Sequence, residues 1–341
     1  MRELLRALAA RTDDPHRYVL YARERWGEDP LGPALSWRLI GAPDPAWHLL
    51  CARAANRVCD VFLSSNSYIT PLFLRVPTVT IVYDLVTFER SMRPNRRSLV
   101  IERLTLGPTV RRSASLLAIS QATAQALRAR FPAAGKRTVV ATLGVTPPLQ
   151  PDAAGLARLP APGFVLAVGT LEPRKNLPRL IAAYSSLDEE LQQRHPLVVV
   201  GAAGWETSET LRALHSLGER CTVLGYVSDE ALGELYRRCA VFCYPSLGEG
   251  FGLPVLEAMA TGAAVVTSQI SSLPEVGGDA VEYVDPSNVR SIAAGLERTL
   301  SDEARRTELS RRARERARSF TWGGFAQVTL ETLERAASPT T

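Results

Sequence analysis

The chain has 341 residues, more than one compact core usually holds, so two domains are expected. With 46% apolar and 22% charged residues it reads as an ordinary globular protein, and no apolar run approaches the ~20 residues of a membrane-spanning helix. The net charge of +5 is no nucleic-acid signature, because only Lys136 and Lys175 among 40 basic residues are lysine and the arginines are spread along the chain, the bias of a GC-rich bacterial genome, not gathered into an aromatic-laced patch.

In chain order, "RYVLYA", "DVFLSS", "TVTIVYD", "SLLAIS" and "TVVATL" read as strands of the first half. Helical patterns such as "AWHLLCARAANRV" and "RRSLVIERLTLGPTVRRS" stand between several of them. At residues 146–163, "TPPLQPDAAGLARLPAPG", five prolines mark a linker. A second series follows: "FVLAVG", "PLVVVG", "CTVLGYV", "AVFCYP", "AAVVTS" and "AVEYVD", interleaved with helices such as "NLPRLIAAYSSL" and "DEALGELYRRC". Apolar strands without polar alternation, separated by helices, indicate parallel sheets covered on both faces. Two doubly wound α/β domains in tandem are expected, 1–150 and 151–319, with a terminal helix over 320–341. The Arg-rich "RRARERARSF" before that helix reads as a solvated face.

The five cysteines, Cys51, Cys59, Cys221, Cys239 and Cys243, form no CxxC and read as core thiols of a reducing compartment. The four histidines lack ligand spacing, so no zinc site is expected. No signal peptide is recognised, and the cytoplasm is the expected location.

In open α/β sheets ligands sit where strand carboxyl ends meet helix amino ends, and between two such domains a cleft is the expected site. Two turns there carry chemistry. In "AVGTLEPRKNLPRL", residues 167–180, a strand ends at Gly169 and a helix is expected near Asn176, which caps it. Arg174 and Lys175 are thereby delivered to the ligand edge, a planar fork beside a compact charge, suited to a diphosphate. The alternative is a surface turn with two solvated cations.

The second is "SLGEGFGLPVLEAMATG", residues 246–262. In one unbroken helix Glu249 and Glu257 would stand ~80° apart around the axis and ~12 Å along it. The glycines forbid that helix. Pro254 suits a first helical position, leaving "EGFGL" as a loop and Glu257 in the first turn. Backbone N–H groups and the helix dipole there favour an anion. The acids are left for hydroxyl groups, each such bond worth roughly 1.5–3 kcal/mol in a dry site. A diphosphate flanked by two polyols is a nucleotide sugar. Read alone, the stretch is equally a helix start whose acids suit its dipole.

"GTLEPRKNL", "GYVSDEALGELYRRCAVFCYPSLGEGFGLPVLEAMATGAAVVTS" and "SSLPEVGGDAVEYVDP" resemble the retaining family 4 glycosyltransferases of the GT-B fold, nearest the bacterial mannosyltransferase-like branch of cell-surface polysaccharide synthesis. The acids have that family's E-x7-E spacing. The resemblance spans residues 164–286, with looser matches at "TVTIVYDLV", "LLAISQAT" and "FTWGGFA". It implies two Rossmann-like domains with an inter-domain cleft, the last helix packing back on the first domain. It further implies that Lys175 and Arg174 neutralise the leaving diphosphate beside Gly169 and Thr170. Glu249 and the amides of Gly250, Phe251, Gly252 and Leu253 hold the transferred sugar, and Glu257 takes the ribose. Gly225, Tyr226 and Val227 lie along the base, while Tyr83, Asp84 and Ser120 face the cleft from the first domain. The implied reaction is retaining transfer of a hexose, mannose carried by GDP, from a nucleotide-diphosphate sugar to a glycan or lipid-linked acceptor. No D-x-D occurs, so no metal and no cofactor are expected, with cations and amides in their place. Peripheral contact with the inner face of the membrane fits such an acceptor; nucleic acid is not an expected partner.

Three departures stand out. Thr170 replaces the family's usual Arg, and Tyr83 replaces the usual His before Asp84. The family's first strand and Gly-rich turn have no counterpart before "MRELLRALAARTDDPHRYVLYA", which matches the later part of the first helix and the second strand. A misassigned start or a truncation is the expected reason, and a sheet without that strand leaves backbone groups unpaired. The rival functions are a non-catalytic nucleotide-sugar-binding subunit or truncated pseudo-enzyme, and a glycoside hydrolase using the paired acids.

Overall fold

The computed structural model describes all residues except 12–13, 26–33, 66, 86–95, 147–158, 203, 205–207 and 339–341. Most of the expected linker, residues 147–158, thus lies outside the described residues. The chain divides into two compact units, Met1–Gly144 with Thr321–Thr341, and Val145–Phe320.

The first unit contains α1 (Arg2–Ala9), β1 (Tyr18–Ala22), β2 (Leu35–Leu39), α2 (Ala46–Ala55), β3 (Phe62–Ser64), β4 (Thr78–Val82), α3 (Arg96–Arg112), β5 (Ser115–Ala118), α4 (Gln121–Arg130) and β6 (Thr138–Val140). All pairings are parallel, but they form two sheets, β1-β2 and β3-β4-β5-β6. The strand β2, "LSWRL", escapes the sequence reading because its polar residues break the apolar run that marks its neighbours. The core is divided as well. Val82, Leu106, Val110, Leu116 and Leu127 form one cluster, and Ala52, Ala55 and Leu74 another.

The second unit holds β7 (Val165–Val168), α5 (Leu177–Ser185), α6 (Glu189–Arg194), β8 (Leu197–Val200), α7 (Ser208–Ser216), β9 (Cys221–Gly225), α8 (Asp229–Arg238), β10 (Val241–Tyr244), α9 (Leu253–Thr261), β11 (Val265–Ser268), α10 (Leu273–Gly277), β12 (Glu282–Val284), α11 (Val289–Ser301) and α12 (Glu303–Ala317). Its six strands form one parallel sheet in the order β12-β11-β10-β7-β8-β9. Strands β8, β10 and β11 are buried along their whole length, as buried parallel strands with covered faces must be. Each fully buried Val or Leu there contributes about 1.5–3 kcal/mol. Helix starts are fixed by side chains: Ser228 accepts from Ala231 N, Asn288 from Arg290 N and Ser291 N, and Asp302 from Arg305 N. On α12, Glu308 pairs with Arg311 and Arg312 at the surface.

The last helix, α13 (Trp322–Ala337), belongs to the first unit, where it packs on α1. Thr321 caps it by accepting from Gly324 N. All five cysteines are free thiols. Among the described residues no helix is long and apolar enough to cross a membrane.

Candidate active site

In the second unit β7 lies between β8 and β10. The chain leaves β7 toward one side of the sheet and returns at β10 to build the other, so their carboxyl ends bound the switch point where ligands of open α/β sheets bind. Residues 169–176 follow β7 and residues 245–252 follow β10. Those are the two turns singled out in the sequence.

The structure joins them through charge. Lys175 Nζ donates to Glu249 Oε1 at 2.9 Å and to the Tyr244 hydroxyl at 2.5 Å. Arg174 pairs with Glu172 at 2.7 Å, also with Glu249, and donates to the Gly248 carbonyl at 3.0 Å. The side chains of Lys175 and Glu249 are only 12% and 8% exposed. Glu249 also accepts from the Tyr244 hydroxyl at 2.7 Å and the Ser246 hydroxyl at 2.7 Å. Burial pushes the Glu249 carboxyl up, but Lys175, Arg174 and Ser246 outweigh it and hold the acid below its ordinary range. Burial draws Lys175 below its ordinary value, with Glu249 opposing. The acid read as a sugar ligand is, in this structure, paired with both cations.

Backbone conformation sets this geometry. At Gly169, φ is +143°, and a Cβ there would lie 3.3 Å from Lys175 Cε; the lysine stem folds over the bare glycine. A Cβ at Gly201 would meet the Gly169 carbonyl oxygen at 2.0 Å, so the turn also needs glycine behind it. Asn176 stands at the start of α5 in the left-handed region, φ 60°. It does not cap α5 with its side chain as expected. Its amide donates instead to the carbonyls of Pro245, 2.9 Å away, and Pro286, at 2.7 Å. That pins the lysine turn to the end of β10.

The α9 start also needs correction. The helix opens at Leu253, one residue before Pro254, with Gly252 as N-cap at φ 106°. Glu257 is thus the fifth helical residue and lies beyond the first turn. The loop is held by Ser272, whose hydroxyl donates to the carbonyls of Glu249, 2.9 Å away, and Phe251, at 2.8 Å. Ser271 accepts from Glu249 N at 3.0 Å. Gly250 and Gly252 lie in this loop before α9, Phe251 is buried and meets Phe320 edge-on, and Leu253 begins the helix. Glu257 accepts from the buried Tyr236 hydroxyl at 3.2 Å; burial raises its carboxyl to about 7. Thr170 follows Gly169 in the lysine turn, where it is exposed.

Gly225 ends β9, two strands from β7, and Tyr226 and Val227 follow it. Tyr226 is 83% exposed. In the first unit Tyr83 and Asp84 follow β4, and Ser120 caps α4 by accepting from Thr123 N. The Thr123 hydroxyl donates to the Tyr83 carbonyl at 3.4 Å, which brings Tyr83 and Ser120 to one place. Sequence reasoning missed Glu172, Tyr244, Ser246 and Tyr236. Tyr244 and Ser246 flank Pro245 at the end of an apolar strand, and only that position signals them.

Residues 156–318 match the family described as Glycosyl transferases group 1. Over 171 residues, 49% of this chain and 45% of the relative, the sequence is 44% identical to O-antigen chain mannosyltransferase B of Escherichia coli. The chain thus spans under half the length of that relative. The structure is similar to a sucrose-phosphate synthase from Thermosynechococcus elongatus, with TM-score 0.76 and 21% identity over 98% of this chain and 91% of the other. It is also similar to Anabaena HepE in complex with UDP and glucose, with TM-score 0.71 and 20% identity over 85% and 82%. At such identity these likenesses speak for fold, a GT-B pair of Rossmann-like units. The resemblance carried by "GTLEPRKNL" and the E-x7-E stretch is borne out.

Proposed function

Residues 156–318 form a glycosyl transferases group 1 domain, and from it we propose that the chain transfers a hexose from a nucleotide-diphosphate sugar to a glycan or lipid-linked acceptor in cell-surface polysaccharide synthesis. Mannose is the sugar, in line with the name of the Escherichia coli relative, and GDP its carrier. The observation that carries this reading is the Lys175–Glu249–Arg174 cluster at the switch point, beside the amino end of α9.

The donor diphosphate lies against Lys175, Arg174 and the amides of Gly250 to Leu253, where cations and oriented N–H groups favour an anion. As the bond from the anomeric carbon to the β-phosphate oxygen breaks, that oxygen keeps the electron pair, and preorganised positive groups stabilise it most where water is excluded. The sugar hydroxyls share Glu249, the ribose hydroxyls take Glu257, and the base stacks on Tyr226. The acceptor attacks on the face the diphosphate leaves and gives its proton to the departing phosphate, so configuration is retained. Tyr83, Asp84 and Ser120 serve the acceptor side. No metal takes part, because the two cations do its work. The site of action is the cytoplasm, with peripheral contact at the inner face of the membrane.

A panel of GDP-mannose, UDP-glucose and other nucleotide sugars, assayed with mannosylated glycan acceptors and EDTA, tests this. Transfer from GDP-mannose undiminished by EDTA is expected. Activity that vanishes with EDTA and returns with a divalent ion would sink the metal-free reading. The divided sheet of the first unit favours a second reading, a subunit that binds nucleotide sugars without transferring them. Binding with neither transfer nor hydrolysis across the panel would select it.

A further inference from the structure

The Arg-rich stretch "RRARERARSF", residues 311–320, has no part in the site described above. Arg311, Arg312, Arg314 and Arg318 are exposed, as a solvated face requires, but Arg316 is drawn inward and half-buried. Its guanidinium donates from Nε to the Val276 carbonyl at 2.6 Å and from Nη2 to the Glu275 carbonyl at 2.5 Å. These lie in the last turn of α10, where carbonyls lack intrahelical partners and a cation suits the dipole. With five residues, α10 is too short to hold itself in water and depends on such anchors. Gly278, at φ 57°, makes room for the guanidinium, since a Cβ there would lie 2.5 Å from Arg316 Cζ. The same guanidinium stands 5.7 Å from the centre of the Phe320 ring.

Both partners of Arg316 hold the loop that carries Glu249. At the start of α10, the Ser272 hydroxyl donates to the carbonyls of Glu249 and Phe251, and Ser271 before it accepts from Glu249 N. Ser271 sits at φ 52°, a left-handed backbone that a serine keeps only where its surroundings hold it. From the other side the Phe320 ring meets the Phe251 ring, centroids 5.9 Å apart at 76°, both residues buried. Two chains of contact, one through α10 and one through the rings, thus run from one guanidinium to residues 249–251. We propose that Arg316 is a positioning residue for the donor site: by anchoring α10 and Phe320, it fixes the loop in the shape that presents the Glu249 carboxylate and the neighbouring amides to a nucleotide sugar. This rests on the function proposed above, and it requires no contact between Arg316 and the ligand. The planar fork meets two successive carbonyls at once, which the single nitrogen of a lysine does less well. Without the fork, α10 loses its anchor and Ser271 is free to relax, taking the Glu249 amide with it.

The test compares Arg316→Ala and the milder Arg316→Lys with Arg314→Ala, which removes an arginine of the same helix that reaches the Thr261 carbonyl at the far end of α9. Amide hydrogen exchange at Glu249 should quicken at least about tenfold in Arg316→Ala and by less in Arg316→Lys. The Phe242 amide, bonded to the Ala264 carbonyl, should keep its parental rate. Calorimetric affinity for GDP-mannose should fall at least about tenfold in Arg316→Ala. Affinity for GMP, which lacks the β-phosphate and the sugar, should change by less than about twofold. Arg314→Ala should match the parent in exchange and in both affinities. Parental exchange at Glu249 in Arg316→Ala, or in Arg316→Lys should the alanine variant not fold, overturns the proposal. So does an equal loss for GMP and GDP-mannose, or the same pattern in Arg314→Ala, which would reduce Arg316 to general packing. A parent that binds no nucleotide sugar would sink the function proposed above, and the exchange rates alone would then decide the role of Arg316.

Discussion

Both units are built from parallel strands, but the second joins its strands into one sheet and the first divides them between two. In the second, β7 fills the middle of the sheet, and a single cluster of buried side chains runs from Val165 and Leu180 to Ile292 and Leu300. In the first, the middle is a cavity, the sheet is cut in two, and the apolar core is cut with it. The central strand of a doubly wound unit therefore does two things. It makes the core continuous, and it brings the turn that follows it beside the loop that follows its neighbour on the switch side. Only the second unit has both, and there Lys175 meets Glu249.

The largest way to break that contrast is Lys175→Ala. Transfer should fall about 10³-fold, the scale for losing one preorganised group at a leaving oxyanion, while the unit stays folded because Arg174 still pairs with Glu249. Turnover within tenfold of the parent would remove the lysine from the chemistry. The contrast in cores is sharpened by a matched pair. Leu166→Ala in β7, a fully buried site, should cost about 2–5 kcal/mol in urea unfolding, and Leu20→Ala in half-buried β1 under about 1.5 kcal/mol. Equal costs would mean the cavity does not weaken its walls.

Tyr244→Phe removes a hydroxyl that touches both charged partners. Hydrogen bonds to charged groups are worth about 1.5–3 kcal/mol, so kcat should drop at least about tenfold while the donor KM changes little; an unchanged kcat would relegate Tyr244 to packing. The smallest effect concerns Glu257. Its carboxyl, raised to about 7 by burial, loses its proton as pH climbs through that value. The protonated form favours the folded state, a contribution full below the ordinary carboxylate range and lost above about 7. The ionised form accepts ribose hydroxyls, so GDP-mannose affinity should rise about tenfold from pH 6 to 8. Calorimetric titration of Glu257→Gln should show no such slope, and a flat parent profile would take Glu257 away from the ribose.

Much of this was legible in the sequence, and the reasons are local. The eleven expected strands read clearly because they are apolar runs between turn residues, whereas "LSWRL" hid β2 behind its Ser and Arg. Lys175 and Glu249 stood out in turns that a strand and a helix frame. Their mutual pairing did not, since it depends on β7 lying beside β10, a neighbourhood no spacing along the chain declares. Asn176 looked like a cap by type and position. Its left-handed backbone turned the amide toward two distant proline carbonyls instead. Glu257 moved out of the first turn because Leu253, not Pro254, opens α9.

The ion cluster has one more consequence. Arg174 and Lys175 are matched one for one by Glu172 and Glu249, so neither of these two cations rests unpaired for whatever anion drifts past. An arriving group must dislodge a carboxylate from its grip on the cations, and an isolated small anion offers little in exchange. A molecule that presents hydroxyls to the displaced carboxylate together with its own negative charge gives both halves of the cluster a new partner at once. Selectivity for such a two-part visitor thus begins with the protein answering its own charges.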